Sequence, residues 1–326
     1  MLVDAATMIR TSAILQPDEI RAFTRRSDAA GALAILWTWG AIAATFTALA
    51  LVPHPVTFVV AVALLGGRQL ALAVLMHEAA HRTLFRTRFL NDRVADWLCA
   101  RPVWTDVRRY REHHLAHHAH AGTERDPDRS LVEGFPLTGR SLVRKMLRDL
   151  AGVSGVKRVL GLALMDAELI GYTVAGDVKP APRRRVRDHA RAFAIHASPA
   201  LVANLAILAT LALAGHAWLY SAWAAAWLTT YGLFLRIRSM AEHACTEGGR
   251  DPMRNTRTTR AGLLARMFVA PHAVGYHLEH HLLPTAPCHR LPALHRRLSS
   301  AGVIPPDAVA RDYLAVLRIM VGQGSP

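Results

Sequence analysis

Cysteine is scarce in this chain of 326 residues: there are three, Cys99, Cys245 and Cys288, odd in number and without paired spacing. That excludes a disulfide framework and a cysteine-built zinc ribbon. Acidic residues are also few, 24 Asp and Glu against 39 Lys and Arg, for a formal charge of +15. Aromatics make up 7% of the chain and do not interleave with the basic residues as a nucleic-acid-binding module requires, so no nucleic-acid partner is expected. Internal repeats and low-complexity tracts are absent, as are an HPGG motif and a four-cysteine pattern, so no electron carrier is fused into this sequence. A cleavable leader is not expected either. The first apolar run begins near residue 29, lacks a clear cleavage site and is long enough to remain as an anchor.

What is abundant is apolar length. Four runs, 29-52, 56-76, 195-214 and 217-235, each approach the ~20 residues that a helix needs to cross a bilayer. Pro53-His54-Pro55 joins the first two, and little more than Gly215-His216 joins the last two, so each pair must fold as an antiparallel hairpin. Among the Lys and Arg residues only Arg68 falls inside a run, and the two short joins carry none. The positive-inside rule then places both termini and all remaining basic residues in the cytoplasm. The expected fold is an all-α integral membrane protein with four transmembrane helices in two hairpins. A cytoplasmic lead-in, 1-28, precedes a single membrane domain, 29-326, whose cytoplasmic cap is 77-194 and 236-326. Pro17-Asp18-Glu19 reads as a helix start. Residues 123–139 read as a polar loop, 151–175 as an interfacial helix and 308–320 as a helix in the soluble tail. An Ala- and Arg-rich composition suggests a bacterial protein of the inner membrane.

Histidine is the other excess. There are 18, and eight of them fall in three boxes. His77 and His81 form the first, in HEAAH. His114, His117 and His118 form H-x-x-H-H in REHHLAHHAH, and His277, His280 and His281 repeat it in GYHLEHHLLP. Residues at i, i+3 and i+4 share a helix face, so each box is expected to aim two or three imidazoles at one point. HEAAH alone also fits a zinc peptidase helix with Glu78 as general base. That reading needs a third ligand, usually an Asp in another span, and the third and fourth runs contain no Asp or Glu. It also leaves six boxed histidines unexplained. A non-catalytic metal transporter should thread its ligands through the bilayer, whereas these sit at one face. Eight imidazoles exceed the three or four that one zinc takes and suit two transition metals.

The chain resembles the membrane fatty acid desaturase superfamily of three-histidine-box, non-haem di-iron desaturases, hydroxylases and ketolases. HEAAH, HHLAHH followed by ERDPD, and YHLEHHLLP followed by CHRLPALH carry the likeness, in the family's order, over roughly residues 30–300. The resemblance implies a helical fold whose cytosolic cap holds two iron ions over a channel for a long apolar chain. It implies O2 as co-substrate and a separate electron donor of ferredoxin, rubredoxin or cytochrome b5 type with its reductase. It carries over His77, His81, His114, His117, His118, His277, His280 and His281 as ligands, with no catalytic residue beyond them. RIRSMAEHA adds His243, which a continued helix lifts about 12 Å above the last apolar turn. Some acyl-CoA members carry Asn four residues before that histidine; here the residue is Ser239. Asp126 and Asp128 match the family's acidic stretch. They, with Glu242 and Glu279, are expected to hydrogen-bond ligand imidazoles. The expected reaction is desaturation of a fatty acyl or similar lipid chain, with hydroxylation or ketolation of an apolar substrate as the alternative.

Arg68 and Gln69 lie mid-span, roughly 13 Å below His77 along a helix. An intramembrane Arg marks a functional site by default. The pair is expected to line the substrate tunnel or to brace the hairpins, with pairing to Asn204 as the simpler alternative.

Overall fold

The computed structural model describes residues 11–175, 178–182 and 184–324. Residues 1–10 of the expected lead-in lie outside the described residues. The remainder of that lead-in holds α1 (Pro17–Phe23), which Gln16 and Glu19 cap reciprocally. Long helices dominate the rest. α2 (Asp28–Leu51) starts where the Ser27 side chain accepts from the Ala30 amide at 3.3 Å. α3 (Pro55–Ala80) starts with proline in its first turn and His54 as cap. The Pro53-His54-Pro55 join therefore ends one helix and opens the next, and the first expected hairpin is present. α7 (Val186–Leu213) runs through Pro199 without ending. Among the described residues α2, α3 and α7 are the helices long and apolar enough to cross a membrane, and the chain is a mostly helical membrane protein.

The fourth expected run does not form one long helix. A 3-10 turn (Ala217–Leu219) leads into α8 (Tyr220–Leu228), and α9 (Thr230–His243) follows after a break at Thr229, whose backbone is non-helical at φ −117°, ψ −87°. The break has a local cause: the Thr229 hydroxyl donates to the Ala225 carbonyl at 2.6 Å and that of Thr230 to Val62 across the bundle at 2.8 Å. α9 then continues past the end of the apolar run at residue 235 to His243, as expected of the helix that lifts this histidine.

α3 is the central helix. From Leu65 onward it is buried almost all round, packed by α2, α8 and α9. Gly66 permits that closeness, since a Cβ there would lie 2.2 Å from the Thr230 hydroxyl. The outward faces of α2 and α7 stay apolar and exposed, with Leu33, Leu36, Trp37, Val202 and Leu205 on them, as a lipid-facing surface requires.

Arg68 and Gln69 each hydrogen-bond from α3 to another helix. Arg68 donates to the Met267 carbonyl at 2.5 Å, tying α3 to α10 (Leu263–Phe268), and Gln69 donates to the Trp223 carbonyl at 2.9 Å, tying α3 to α8. Neither lines the main cavity described below, so of the two expected roles their contacts match bracing. Asn204 is engaged elsewhere: its side-chain oxygen accepts from Tyr220 and Trp223, both at 3.1 Å.

Beyond the long helices come α4 (Val107–His120), the amphipathic α5 (Gly139–Leu150) and α6 (Val153–Asp166). α6 occupies the stretch expected to be an interfacial helix, and its Val156 and Leu160 are exposed. α11 (His277–Leu282) and α12 (Leu291–Ser300) follow α10, and a two-residue parallel pairing, Thr258–Thr259 with Val309–Ala310, ties the last segments together. The expected tail helix is shorter than 308–320. It is α13 (Tyr313–Ile319), started by the Asp312 side chain accepting from the Ala315 amide at 2.8 Å.

Candidate metal centre

Four elements present histidines at one level. α3 ends in His77 and His81, α4 carries His114, His117 and His118, α9 ends in His243, and α11 carries His277, His280 and His281. Two arginines, Arg111 half-buried and Arg257 buried, secure two of the helix ends. Arg111 donates to the Ala80 carbonyl at 2.8 Å and to the Ala79 carbonyl at 3.0 Å, closing α3, and its Nη2 also meets Asp92 at 2.5 Å. Arg257 donates to the carbonyls of Ala241, Ala244 and Cys245 at the end of α9. Cations at helix C-termini satisfy orphan carbonyls and the dipole together.

The nine histidines separate into two clusters. His77, His81, His114, His118 and His280 form one; His117, His243, His277 and His281 form the other; within each, one ring nitrogen per residue lies within 4.8 Å of all the others. Each H-x-x-H-H box is therefore split, with two of its three imidazoles aimed at one point. In both H-x-x-H-H boxes the i and i+4 residues share a cluster, while the i+3 residue joins the other: His117 crosses from the second box and His280 from the third.

The polar surroundings establish which nitrogens face inward. His117 Nδ1 donates to Asp126 at 2.8 Å, and His243 Nδ1 donates to the Asn255 carbonyl at 2.9 Å. His277 Nδ1 lies 3.4 Å from Glu242. A carbonyl can only accept, so His243 carries its proton on Nδ1, and its Nε2 is a lone pair. That Nε2 lies 3.2 Å from Nε2 of His117 and 2.8 Å from Nε2 of His277. In the first cluster, His118 Nε2 lies 3.0 Å from Nε2 of both His114 and His280. Facing lone pairs at such separations repel one another unless a cation lies among them. Metal–imidazole bonds of about 2.0–2.1 Å put neighbouring donors roughly 3 Å apart. Several other ring nitrogens, including both of His77 and Nε2 of His81 and His281, are buried without a hydrogen-bond partner, an arrangement that costs about 1–3 kcal/mol each if left unrelieved. The donor set thus fits a pair of transition-metal ions.

Burial, then mutual repulsion, keeps most of these imidazoles neutral. It lowers His114, His277, His280 and His281 well below their ordinary value, and His118 to about 2. His243 falls to about 3 and His81 to about 4. His117 goes the other way. Burial alone would lower it, but the hydrogen bond that it donates to Asp126 and the charges of Asp128, Asp126 and Glu242 outweigh burial and raise it. Neutral imidazole is the form that ligates metal.

The four expected carboxylates take different posts. Asp126 holds His117 and also accepts from the Asp128 amide at 2.9 Å, so it both orients an imidazole and closes a turn. Asp128 engages His113 at 2.7 Å. Glu242 lies between Arg238, at 2.6 Å, and His277. Glu279 departs from its expected role: its carboxylate meets Thr258 and His295, each at 2.5 Å, because the helix turns that side chain away from the imidazoles beside it. Glu78 is similarly diverted, accepting from the Thr83 hydroxyl at 2.9 Å and the Cys288 amide at 2.8 Å, and the peptidase reading loses its base. Residues not foreseen are Tyr110, which stacks on His114 with ring centroids 5.2 Å apart, and Asn255, Arg111, Arg238 and Arg257. Tyr110 and Arg111 had a usable signal, since both lie about one turn before His114 on the same helix.

A cavity of about 730 Å³ opens beside the clusters. His114, His117, His243 and His277 line one end, Trp104, Tyr110, Leu162 and Met165 its walls, and Lys157 and Arg158 also border it. Ser239 faces it too, with its hydroxyl donating to the Leu235 carbonyl at 2.9 Å.

A family model for fatty acid desaturases matches residues 53–310. No curated protein matches the chain. The matched stretch contains every one of the nine clustered histidines and most of the sequence, so the chain belongs to the fatty acid desaturase family.

Proposed function

We propose that this chain is a membrane-bound, O2-dependent di-iron oxidoreductase that introduces a double bond into a lipid chain. The observation that carries the reading is the pair of histidine clusters at the end of a largely apolar cavity. His77, His81, His114, His118 and His280 would hold one iron, and His117, His243, His277 and His281 the other. A bound iron pair supplies the oxidising power, drawn from O2 and external electrons, to break an unactivated C–H bond. The chain does the rest. Asp126 and the Asn255 carbonyl keep two imidazoles in the tautomer that turns Nε2 inward. Glu242, itself held by Arg238, steadies His277. The cavity walls align an apolar chain against the clusters and exclude water from them.

The positive-inside count supports four spans in two hairpins, with α8 and the first part of α9 together as the fourth. It also supports termini and metal centre in the cytoplasm, an inner-membrane location, and one membrane domain, 29-326, after the 1-28 lead-in. Electrons then come from a separate acidic protein of ferredoxin, rubredoxin or cytochrome b5 type, which docks on the basic face. The test is expression with a matched reductase, followed by mass spectrometry of total lipids. Loss of two hydrogens from a lipid supports desaturation; gain of one oxygen assigns hydroxylation instead; an unchanged lipid profile with an active reductase overturns the proposal.

A further inference from the structure

The charges lining the cavity are not evenly matched. Near the clusters each carboxylate has a partner: Asp126 engages His117, Asp128 engages His113, and Glu242 engages Arg238. Away from the clusters stand three cations, Lys157, Arg158 and Arg236, and a single carboxylate, Asp149. Arg236 already holds Asp149 through both carboxylate oxygens, at 2.5 and 3.0 Å.

Lys157 and Arg158 are left over, and of the two Lys157 is exposed whereas Arg158 is half-buried. Its guanidinium lies over the rings of Trp227, 4.6 Å from the centroid, and Tyr231, 4.8 Å from it. One guanidinium nitrogen donates to the Trp227 carbonyl, Nε is buried without a partner, and no carboxylate among the described residues pairs with it. Gly232 leaves the room it needs, since a Cβ there would lie 3.2 Å from Nη1. An aromatic cradle keeps the charge but satisfies few of the five guanidinium donors. A half-buried, under-satisfied arginine facing a ligand-sized cavity is built to receive an oxyanion in fork geometry.

Its place sets a length. Arg158 meets α9 at Gly232, and His243 lies at the far end of the same helix, about 16 Å away along the axis. We infer that Arg158 binds an oxyanion end group of the substrate, a carboxylate or phosphate, and that it thereby holds the reacting carbon at a fixed reach from the metal centre. This rests on the lipid-oxidising reading above and adds to it the chemistry of the substrate's far end: a free amphiphilic acid, taken whole into the cavity.

Binding to the purified full-length protein tests it, with no need for iron or turnover. The probes are palmitate, hexadecyl phosphate and methyl palmitate, a neutral ester of the same chain. The parent protein should bind at least one of the two anions at least tenfold more tightly than the ester, and the better anion identifies the group. Arg158→Gln should erase that preference, while Arg158→Lys should retain part of it. Equal affinity for acid, phosphate and ester in the parent protein overturns the inference, as does an anion preference that survives Arg158→Gln. If Arg158→Gln does not fold, the parent comparison and the lysine variant still decide. The outcome is separate from the reaction itself: a lipid profile unchanged by expression overturns the oxidoreductase, not the binding of an anion at Arg158.

Discussion

His117 and His118 are neighbours in the chain, yet their imidazoles belong to different clusters, their ring planes 76° apart. One helix therefore serves both clusters, and so does α11 through His280. The two positions are not chemically alike. The cluster with His117 is braced by Asp126, Glu242 and a backbone carbonyl, whereas around the five-histidine cluster the closest polar supports are a Tyr110 hydroxyl 3.5 Å from His114 and Glu78 3.6 Å from His77.

On the di-iron reading proposed above, replacing either neighbour should remove a different iron. His117→Ala and His118→Ala are each expected to lower bound iron to about half and to abolish turnover, and Mössbauer spectra should show different surviving signals in the two variants. Identical spectra would contradict the split of the box.

Asp126→Asn should weaken the second cluster without emptying the first. Loss of such an outer partner typically reduces metal affinity 10–100-fold. Chelator titration should therefore become clearly biphasic in this variant, with the weaker phase holding about half of the iron.

Glu78→Gln is expected to keep most of the activity and all of the iron, at about 1 kcal/mol of stability, since a neutral amide oxygen still accepts from Thr83 or Cys288. His77→Ala should abolish activity. Peptide cleavage by the purified protein, lost in Glu78→Gln, would reverse this assignment.

Arg68→Leu should act on stability rather than on substrate choice. It removes the charged tie from α3 to the Met267 carbonyl, a bond of a kind worth about 1.5–3 kcal/mol. Thermal unfolding should shift down while the product distribution stays as in the parent; a changed product distribution would return Arg68 to the tunnel wall.

Asp92 sets an acid limit. Burial would raise its carboxyl, but hydrogen bonds and charge from Arg111, with Arg88 and Arg82, outweigh burial and hold it below its ordinary value. A depressed folded-state pKa contributes stability that is present above the unfolded value of about 3.9 and disappears as pH falls through the folded one. Asp92→Asn should therefore lose stability at neutral pH and lose less than the parent on further acidification below about pH 4, as followed by unfolding midpoints.

Much was legible from local pattern. Apolar runs placed α2, α3 and α7 because a bilayer demands about twenty apolar residues per span whatever surrounds them. Eight of the nine histidines were found because helical spacing puts i, i+3 and i+4 on one face; His243 stands outside the boxes and was found only through the family resemblance. The broken run at Thr229 was not legible: an apolar stretch records solvent, while the break comes from two hydroxyls finding carbonyls on α8 and on α3. Glu279 was misjudged for a similar reason, since adjacency to His280 says nothing about which way a helix turns a side chain.

The sequence by itself determined the class of protein, the lipid-facing helices and the set of imidazoles, because each depends on composition and short-range periodicity. Only the tertiary structure decided which imidazoles share a cluster, which carboxylates lie against them, and that Arg158 lacks an acidic partner among the described residues. Those outcomes depend on how α4, α6, α9 and α11 pack across long separations in the chain, where a shift of one residue in register would assign every side chain a different neighbour.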